Sequence, residues 1–319
     1  MDYDKIKGLD KKISKLIMGN DNQTDFDSAA KVWDHWIEVG GNAFDNAHIY
    51  GKGSMESLMG EWHTKRNIRN DIVVIAKGAH TPNCNPSSIS SQLSESLDRL
   101  KTDFADIYIM HRDNLEIPVG EFMDVLNQEM KKGRIKIFGG SNWTLERFKE
   151  ANEWAEKNNI QPMSILNNNL ALSKMIKPLW AGCISSNDDD ILEYLKKTQT
   201  AHLSWSSQGR GYFLPPEICQ AIEDKITKNE SSWRQPGENS SGPISCYDSE
   251  DNRERRKRAN ELAKELNVTA QNIAGTWPLH QPFPSLALIG PRKIEEINST
   301  LPSLDIKLTE DKIKWLNLK

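Results

Sequence analysis

The sequence predicts a single-domain (β/α)8 barrel. Three observations carry that expectation. Short apolar runs rich in β-branched residues recur, such as Ile72-Val73-Val74-Ile75-Ala76 and Ile107-Tyr108-Ile109-Met110. Runs of that kind are strands of a parallel sheet buried on both faces. Segments with helical apolar spacing alternate with them, as βα units require. Eight strand-like runs can be counted, enough to close a barrel, and 319 residues is a length one such barrel uses.

In chain order, the first strand is Lys15-Leu16-Ile17-Met18, ended by Gly19-Asn20. Residues 26–39 carry Ala29, Val32, Trp33 and Trp36 at helical spacing and stop at Gly40-Gly41. The second strand is Asn42-Ala43-Phe44-Asp45, followed by a helix over about 55–65. The third ends at Lys77. Pro86-Ser87-Ser88 opens a helix whose Ile89, Leu93, Leu97 and Leu100 share one face. The fourth strand ends at His111, and an amphipathic helix spans 119–132.

The fifth strand is 135–139, and Thr144 is an N-cap candidate for a helix over 145–157. Strands at 163–166, 201–205 and 286–289 complete the eight. Short helices follow near 294–301 and after Leu308, and Pro278 is expected to kink the helix 269–280. Two stretches break the rhythm: 174–190, and a long polar loop at about 214–247 containing Pro215-Pro216, Pro236-Gly237 and Gly242-Pro243. Long connections in compact domains are commonly lids or poorly ordered segments. Both are expected on the side of the barrel where strands end.

Composition narrows the function classes. With 37% hydrophobic and 27% charged residues, the chain reads as an ordinary soluble globular protein. A net charge of −4 offers no basic footprint for nucleic acid or for an anionic membrane. The basic run Arg253-Glu254-Arg255-Arg256-Lys257-Arg258 is flanked by acids and reads as a solvated helix face. Cys84, Cys183, Cys219 and Cys246 form no CxxC pair and have no histidine at zinc-ligand spacing. Unpaired cysteines and the absence of an apolar leader suit the cytoplasm. Asn-x-Ser/Thr matches such as Asn229-Glu230-Ser231 are then unused.

The chemistry lies at the strand ends. Asp45, Lys77 and His111 each close an apolar run, and Tyr50 stands just beyond Asp45. In an α/β barrel the C-terminal strand ends converge on the face that holds the active site. Each residue alone has a plainer reading: a cap, a loop aromatic, a solvated charge, a core histidine. All four on one face point to one pocket. A phenol beside an ammonium and an imidazole is a proton donor to a carbonyl. A free phenol has a pKa near 10, and a neighbouring ammonium is expected to lower it.

The segment Gly41-Asn42-Ala43-Phe44-Asp45-Asn46-Ala47-His48-Ile49-Tyr50-Gly51 resembles the signature of the aldo-keto reductase family. Phe138-Gly139-Gly140-Ser141-Asn142-Trp143 and Leu288-Ile289-Gly290-Pro291-Arg292 are similar to its later motifs, so the resemblance runs from about Ser14 to the C-terminus. It implies a catalytic tetrad of Asp45, Tyr50, Lys77 and His111. Tyr50 would be the general acid, Lys77 would tune it, Asp45 would fix Lys77, and His111 would bind the substrate oxygen.

The resemblance also implies a nicotinamide dinucleotide, which supplies the hydride that no side chain can. There is no GxGxxG after a strand, so a Rossmann fingerprint is rejected. Ser141, Asn142 and Asn167 would bind the carboxamide, Trp205 would stack on the nicotinamide, and Ser206, Gln208 and Gly209 would meet the pyrophosphate. Gly290 and Arg292 would hold the adenosine phosphate, with Glu296 on the adenine. A planar guanidinium at Arg292 suits a 2′-phosphate, which favours NADPH (NADP+) over NADH. An exposed i, i+4 pair is the plainer reading of Arg292 and Glu296. Asn167 stands where the family has Gln, and Leu170 where it has an aromatic.

Trp62, Trp143 and Trp180 are candidates for the substrate wall, whereas Trp33, Trp36 and Trp154 read as helix packing. His48, Arg112, Asp113, Asn114 and Asn187 tilt the substrate toward a hydroxylated, sugar-like carbonyl compound. The expected activity is reduction of an aldehyde or ketone, with no metal. Two alternatives stay open: a sugar or alcohol dehydrogenase using the same residues, and a cofactor-binding regulatory subunit of the same fold.

Overall fold

Eight parallel strands close into a barrel in the computed structural model, which describes residues 1–228 and 241–319. They are β1 (Leu16–Gly19), β2 (Ala43–Asp45), β3 (Val73–Gly78), β4 (Ala105–Met110), β5 (Ile135–Ser141), β6 (Ile165–Asn167), β7 (Ala201–Ser204) and β8 (Ser285–Ile289). Each pairs with the next in sequence, and β8 closes the ring between β7 and β1. The (β/α)8 architecture is the one the sequence predicts. Boundaries shift by a residue or two: β1 includes Gly19, β6 starts at Ile165 rather than Met163, and β7 stops before Trp205.

Five helices read from the sequence lie between the strands: α1 (Phe26–Glu38), α2 (Ser54–Arg66), α3 (Pro86–Arg99), α4 (Val119–Lys131) and α5 (Leu145–Lys157). A further helix, α6 (Asp189–Thr198), follows the 174–190 connection and was not read from the sequence. Asp25, Asn85 and Thr144 cap α1, α3 and α5 by accepting backbone N–H bonds. The 214–247 stretch is not a plain loop. It contains α7 (Pro216–Thr227) and α8 (Pro243–Tyr247), each opened by a proline that lacks the N–H a first turn leaves unpaired. Residues 229–240, with the Asn229 glycosylation motif, lie outside the described residues. After α9 (Glu250–Leu266), α10 runs only over Ala270–Thr276. The chain tightens to a 3-10 turn over Trp277–His280, which is where Pro278 was expected to interrupt it. Two short helices, α11 (Ile294–Thr300) and α12 (Glu310–Leu316), finish the chain. No helix among the described residues is long and apolar enough to cross a membrane.

Strand side chains alternate between two cores. Outward residues such as Phe44, Val74, Tyr108 and Phe138 pack against the helices. Inward residues Ile17, Val73, Ile75, Ile107, Ile109, Ile137, Ile165, Leu203 and Leu286 fill the barrel. A two-stranded ribbon (Tyr3–Asp4 with Ile13–Ser14) covers the bottom, and Ile6, Leu9 and Ile13 join the inner core. The charged look of the N-terminus hides this plug. With the bottom sealed, the mouth at the strand C-termini is the open end.

His202, on the outward side of β7, is fully buried beside Phe283, and among the described residues its one hydrogen-bond partner is Ser204 Oγ, at 3.0 Å. Burial pushes its pKa down to about 3, against 6.5 when unfolded. Between those values the unfolded chain binds the extra proton, so stability falls as pH drops from about 6.5 toward 3. The cost of His202→Leu in urea denaturation is therefore expected to be about 2 kcal/mol smaller at pH 5 than at pH 7.5. An equal cost at both pH values would contradict a buried neutral imidazole.

Candidate active site

Strand alternation carries the inward apolar series up to a polar ring at the mouth. On β2, Ala43 is followed two residues later by Asp45; on β3, Ile75 by Lys77; on β4, Ile109 by His111 just past the strand. On β5, Gly139 is followed by Ser141; on β6, Ile165 by Asn167; on β7, Leu203 by Trp205. A period of two thus places these six side chains in one layer above the barrel core.

Lys77 is the hub of the layer. Its Nζ donates to Asp45 Oδ2 at 2.6 Å and to Tyr50 Oη at 2.7 Å. The Tyr50 ring meets the His111 ring edge-on at 5.9 Å. Tyr50 reaches this position because the chain beyond β2 is pinned to β3: the N–H groups of Asn46 and His48 donate to the carbonyls of Ile75 and Lys77. The chain then reverses in a 3-10 turn with positive φ at Gly51 (55°), Lys52 (55°) and Gly53 (93°). Glycine takes such angles without a Cβ penalty. At Gly53 a Cβ would also stand 2.5 Å from the Arg99 guanidinium. Arg99 binds Glu56 (3.2 Å) and Glu95 (3.0 Å), and Glu95 binds His48 (2.9 Å), clamping the Tyr50 loop from behind.

Protonation states follow from burial and neighbours. Burial raises the Tyr50 phenol well above its ordinary value, with Lys77 pulling it down and Asp45 and Asp21 adding to the rise. The ammonium was expected to lower this pKa; burial outweighs it, so Tyr50 carries its proton throughout the neutral range. Burial opposes charge on Lys77, but Asp45 and Tyr50 together hold it charged and shift its pKa upward. His111 is held well below 6.5, first by burial and then by Lys77, Arg112 and His80, so its imidazole is neutral. Its Nδ1 has no partner.

The cofactor candidates divide. Trp205 lies at the mouth with its Nε1 unpartnered. In the loop after β7, Ser206 (φ 50°), Gly209 (φ 62°) and Gly211 (φ 91°) turn through left-handed backbone, and the buried Gln208 Nε2 has no partner. A Cβ at Gly209 would stand 2.8 Å from Ser173 Oγ. Ser141 Oγ donates to the Asn167 carbonyl (2.8 Å), and Asn167 Nδ2 donates to the Leu203 carbonyl (2.6 Å), which leaves the amide oxygen and the second N–H for another partner. Asn142, at φ 59°, donates to Ser141 Oγ and accepts the Ile184 N–H, tying the 174–190 segment to β5. Arg292 and Glu296 meet through the Arg292 backbone N–H, which donates to the Glu296 carboxylate at 2.8 Å. Gly290 beside them is held by Asn22 Nδ2.

Two of the three tryptophans proposed for the substrate wall are elsewhere. Trp62 is fully buried on α2 between Trp33 and Phe44, with Nε1 donating to Asp34. Its place is the layer between helices and barrel. Trp143 is also fully buried, and a Cβ on the outward-facing Gly140 would meet its indole at 2.7 Å. The glycine there makes room for the ring on the outer side of β5, away from the mouth. Trp180 does reach the mouth, 6.3 Å from Trp205 between ring centres. Trp33 and Trp36 are buried packing residues, as read from the sequence.

His80 was not anticipated. It packs edge-on against His111 at 4.9 Å, with Nδ1 near the Thr81 carbonyl. Its only sequence signal is a place three residues beyond Lys77, in the loop after β3. The Glu56–Arg99–Glu95–His48 clamp gave no signal, because its members come from three separate segments.

The Aldo/keto reductase family profile matches residues 15–317. An uncharacterized oxidoreductase of Bacillus subtilis is 23% identical over 99% of this chain and 95% of its own. A norsolorinic acid reductase of Aspergillus flavus is 24% identical over 95% of this chain and 73% of its own length. A putative aryl-alcohol dehydrogenase of Schizosaccharomyces pombe is 24% identical over 96% and 92%. Among solved structures, a thermostable aldo-keto reductase in complex with the inhibitor epalrestat superposes with a TM-score of 0.74 at 20% identity, covering 100% of this chain and 99% of that one. With the profile spanning nearly the whole barrel and Asp45, Tyr50, Lys77 and His111 gathered at its mouth, the chain belongs to the aldo/keto reductase family.

Proposed function

We propose that the chain reduces an aldehyde or ketone to an alcohol, with NADPH as hydride source and Tyr50 as proton donor. The observation that carries this reading is Lys77 Nζ held between Asp45 and Tyr50 Oη, beside the His111 ring. Bound NADPH supplies a hydride to the carbonyl carbon. The protein's own part is the proton. Tyr50 keeps its phenol proton until negative charge develops on the substrate oxygen, and the fixed Lys77 ammonium then stabilises the phenolate left behind. A neutral His111 offers a hydrogen bond to that oxygen without competing as an acid.

The residues fit the dinucleotide. Gln208 Nε2 is a buried amide donor with no partner among the described residues, in a left-handed turn where a pyrophosphate needs donors, and Trp205 offers an indole face above the barrel core. Ser141, Asn142 and Asn167 remain the candidates for the carboxamide, Ser206 and Gly209 for the pyrophosphate, and Gly290, Arg292 and Glu296 for the adenosine end. The relatives' names include both a reductase and a dehydrogenase, and the same residues serve either direction. Four of the five polar residues behind the sugar-like reading are engaged within the protein: His48 with Glu95, Asp113 with Arg147, Asn114 with the Cys84 carbonyl, and Asn187 with Ala171 and Ser185; Arg112 is the one that remains.

The test is oxidation of NADPH and NADH by the purified protein across a panel of aldehydes and ketones. Activity with NADPH is expected, and Arg292→Ala is expected to raise the KM for NADPH roughly 10- to 100-fold, the worth of one charge-assisted contact. The KM for NADH should move little. Equal use of both cofactors by the wild type would remove the 2′-phosphate assignment. No turnover with any carbonyl, despite NADPH binding, would favour the regulatory-subunit alternative.

A further inference from the structure

We propose that Arg112 forms an oxyanion subsite at the barrel mouth, so that the carbonyl substrate carries a carboxylate or phosphate. This rests on the reductase reading above and names its substrate class. Arg112 follows His111 directly and is half-buried. Two segments enclose it. On one side, Cys84 Sγ donates to the Arg112 carbonyl and Asn114 Nδ2 donates to the Cys84 carbonyl, so the loop after β3 is fastened to residues 112–114. On the other, Arg112 Nη2 approaches Cys183 Sγ at 3.8 Å, and a Cβ at Gly182 would lie 4.0 Å from its Nε. The segment holding Gly182 and Cys183 also holds Trp180, which packs on Trp205.

Among the described residues, no carboxylate pairs with the guanidinium in this enclosure. Its contacts are the His111 carbonyl at 3.0 Å and the thiol, both neutral acceptors. The adjacent acid, Asp113, is held by Arg147 at 3.1 Å. Arg69, Arg99, Arg134 and Arg147 each hold a carboxylate. An arginine has five donors and no acceptor, and a partly desolvated guanidinium is costly without an anion. A forked guanidinium accepts a carboxylate or a phosphate through paired N–H bonds. With His111 next to it in the chain, an anion on Arg112 would leave the carbonyl end of a short substrate within reach of the tetrad.

The test measures kcat and KM for matched pairs: 4-oxobutanoate against butanal, and glyceraldehyde 3-phosphate against glyceraldehyde. At least one anionic member is expected to exceed its neutral partner by tenfold or more in kcat/KM, chiefly through KM. Arg112→Gln should cut that ratio at least tenfold, and Arg112→Lys should keep part of it. The first pair answers for carboxylate and the second for phosphate. A wild-type ratio near one in both pairs overturns the proposal. So does an Arg112→Gln variant that lowers both members equally, because that marks a residue that only fastens the loops. If nothing is turned over, the reductase reading fails, and calorimetric titration with 4-hydroxybutanoate and inorganic phosphate decides the subsite. Binding lost in Arg112→Gln supports it; no binding to the wild type overturns it.

Discussion

Tyr50→Phe is expected to lower kcat for carbonyl reduction by roughly 10²- to 10⁴-fold, the usual worth of a positioned general acid. The dissociation constant of NADPH should stay close to that of the wild type. The substitution removes one oxygen and keeps the ring against His111 and the Lys77 ammonium. Lys77 loses its 2.7 Å partner but keeps Asp45 at 2.6 Å, so the fold should lose only about 1 kcal/mol, one hydrogen bond's net contribution. Stopped-flow turnover and fluorescence titration of NADPH separate these terms. Wild-type kcat in the variant would remove Tyr50 as proton donor and leave His111 as the next candidate. The direction of Tyr50's shift adds a second signature. Because the phenol stays protonated to well above neutral pH, reduction should show no loss of activity between pH 7 and 9 through this group.

What was legible in the sequence follows from what period two can carry. Asp45, Lys77 and His111 each extend an apolar inward series, so one-dimensional spacing gave their three-dimensional convergence. Tyr50 is beyond the strand, and only its place in a family-like motif singled it out. The cofactor loop after β7 was assigned by resemblance alone, since left-handed backbone at Ser206 leaves no compositional trace.

The misreadings share a cause. Trp62 and Trp143 were given to the pocket because indoles suit substrate walls, yet the same rings suit a helix–barrel interface. Burial decides, and burial depends on which face of α2 or β5 a residue takes. For Trp143 the clue was present: Gly140 is outward on β5, and a glycine there leaves room for a large ring outside the barrel. The expected fall in the Tyr50 pKa failed for another reason. The charge of Lys77 is visible in sequence, but the desolvation that opposes it appears only once the mouth is assembled.

Lys77→Met is expected to be the most damaging single substitution in the site, in stability as well as activity. Asp45 is 3% exposed, and Lys77 is its one ion-pair partner among the described residues. Removing the ammonium strands a buried carboxylate, which costs on the order of 3–5 kcal/mol. For a domain of this size that corresponds to a fall in Tm of about 5–7 °C. The loss should depend on pH in a definite direction. Without Lys77, burial raises the Asp45 pKa further above the unfolded value, so the folded variant holds a proton that the unfolded chain has released. The variant is then most stable at low pH and weakens as pH rises through the folded pKa. Asp45→Asn in the same chain should restore much of the stability by removing the charge, while turnover stays low because Tyr50 still lacks its ammonium. A double-mutant cycle read by urea denaturation gives the coupling directly. Additive losses would mean that the 2.6 Å contact contributes little to the fold, and that Lys77 serves Tyr50 alone.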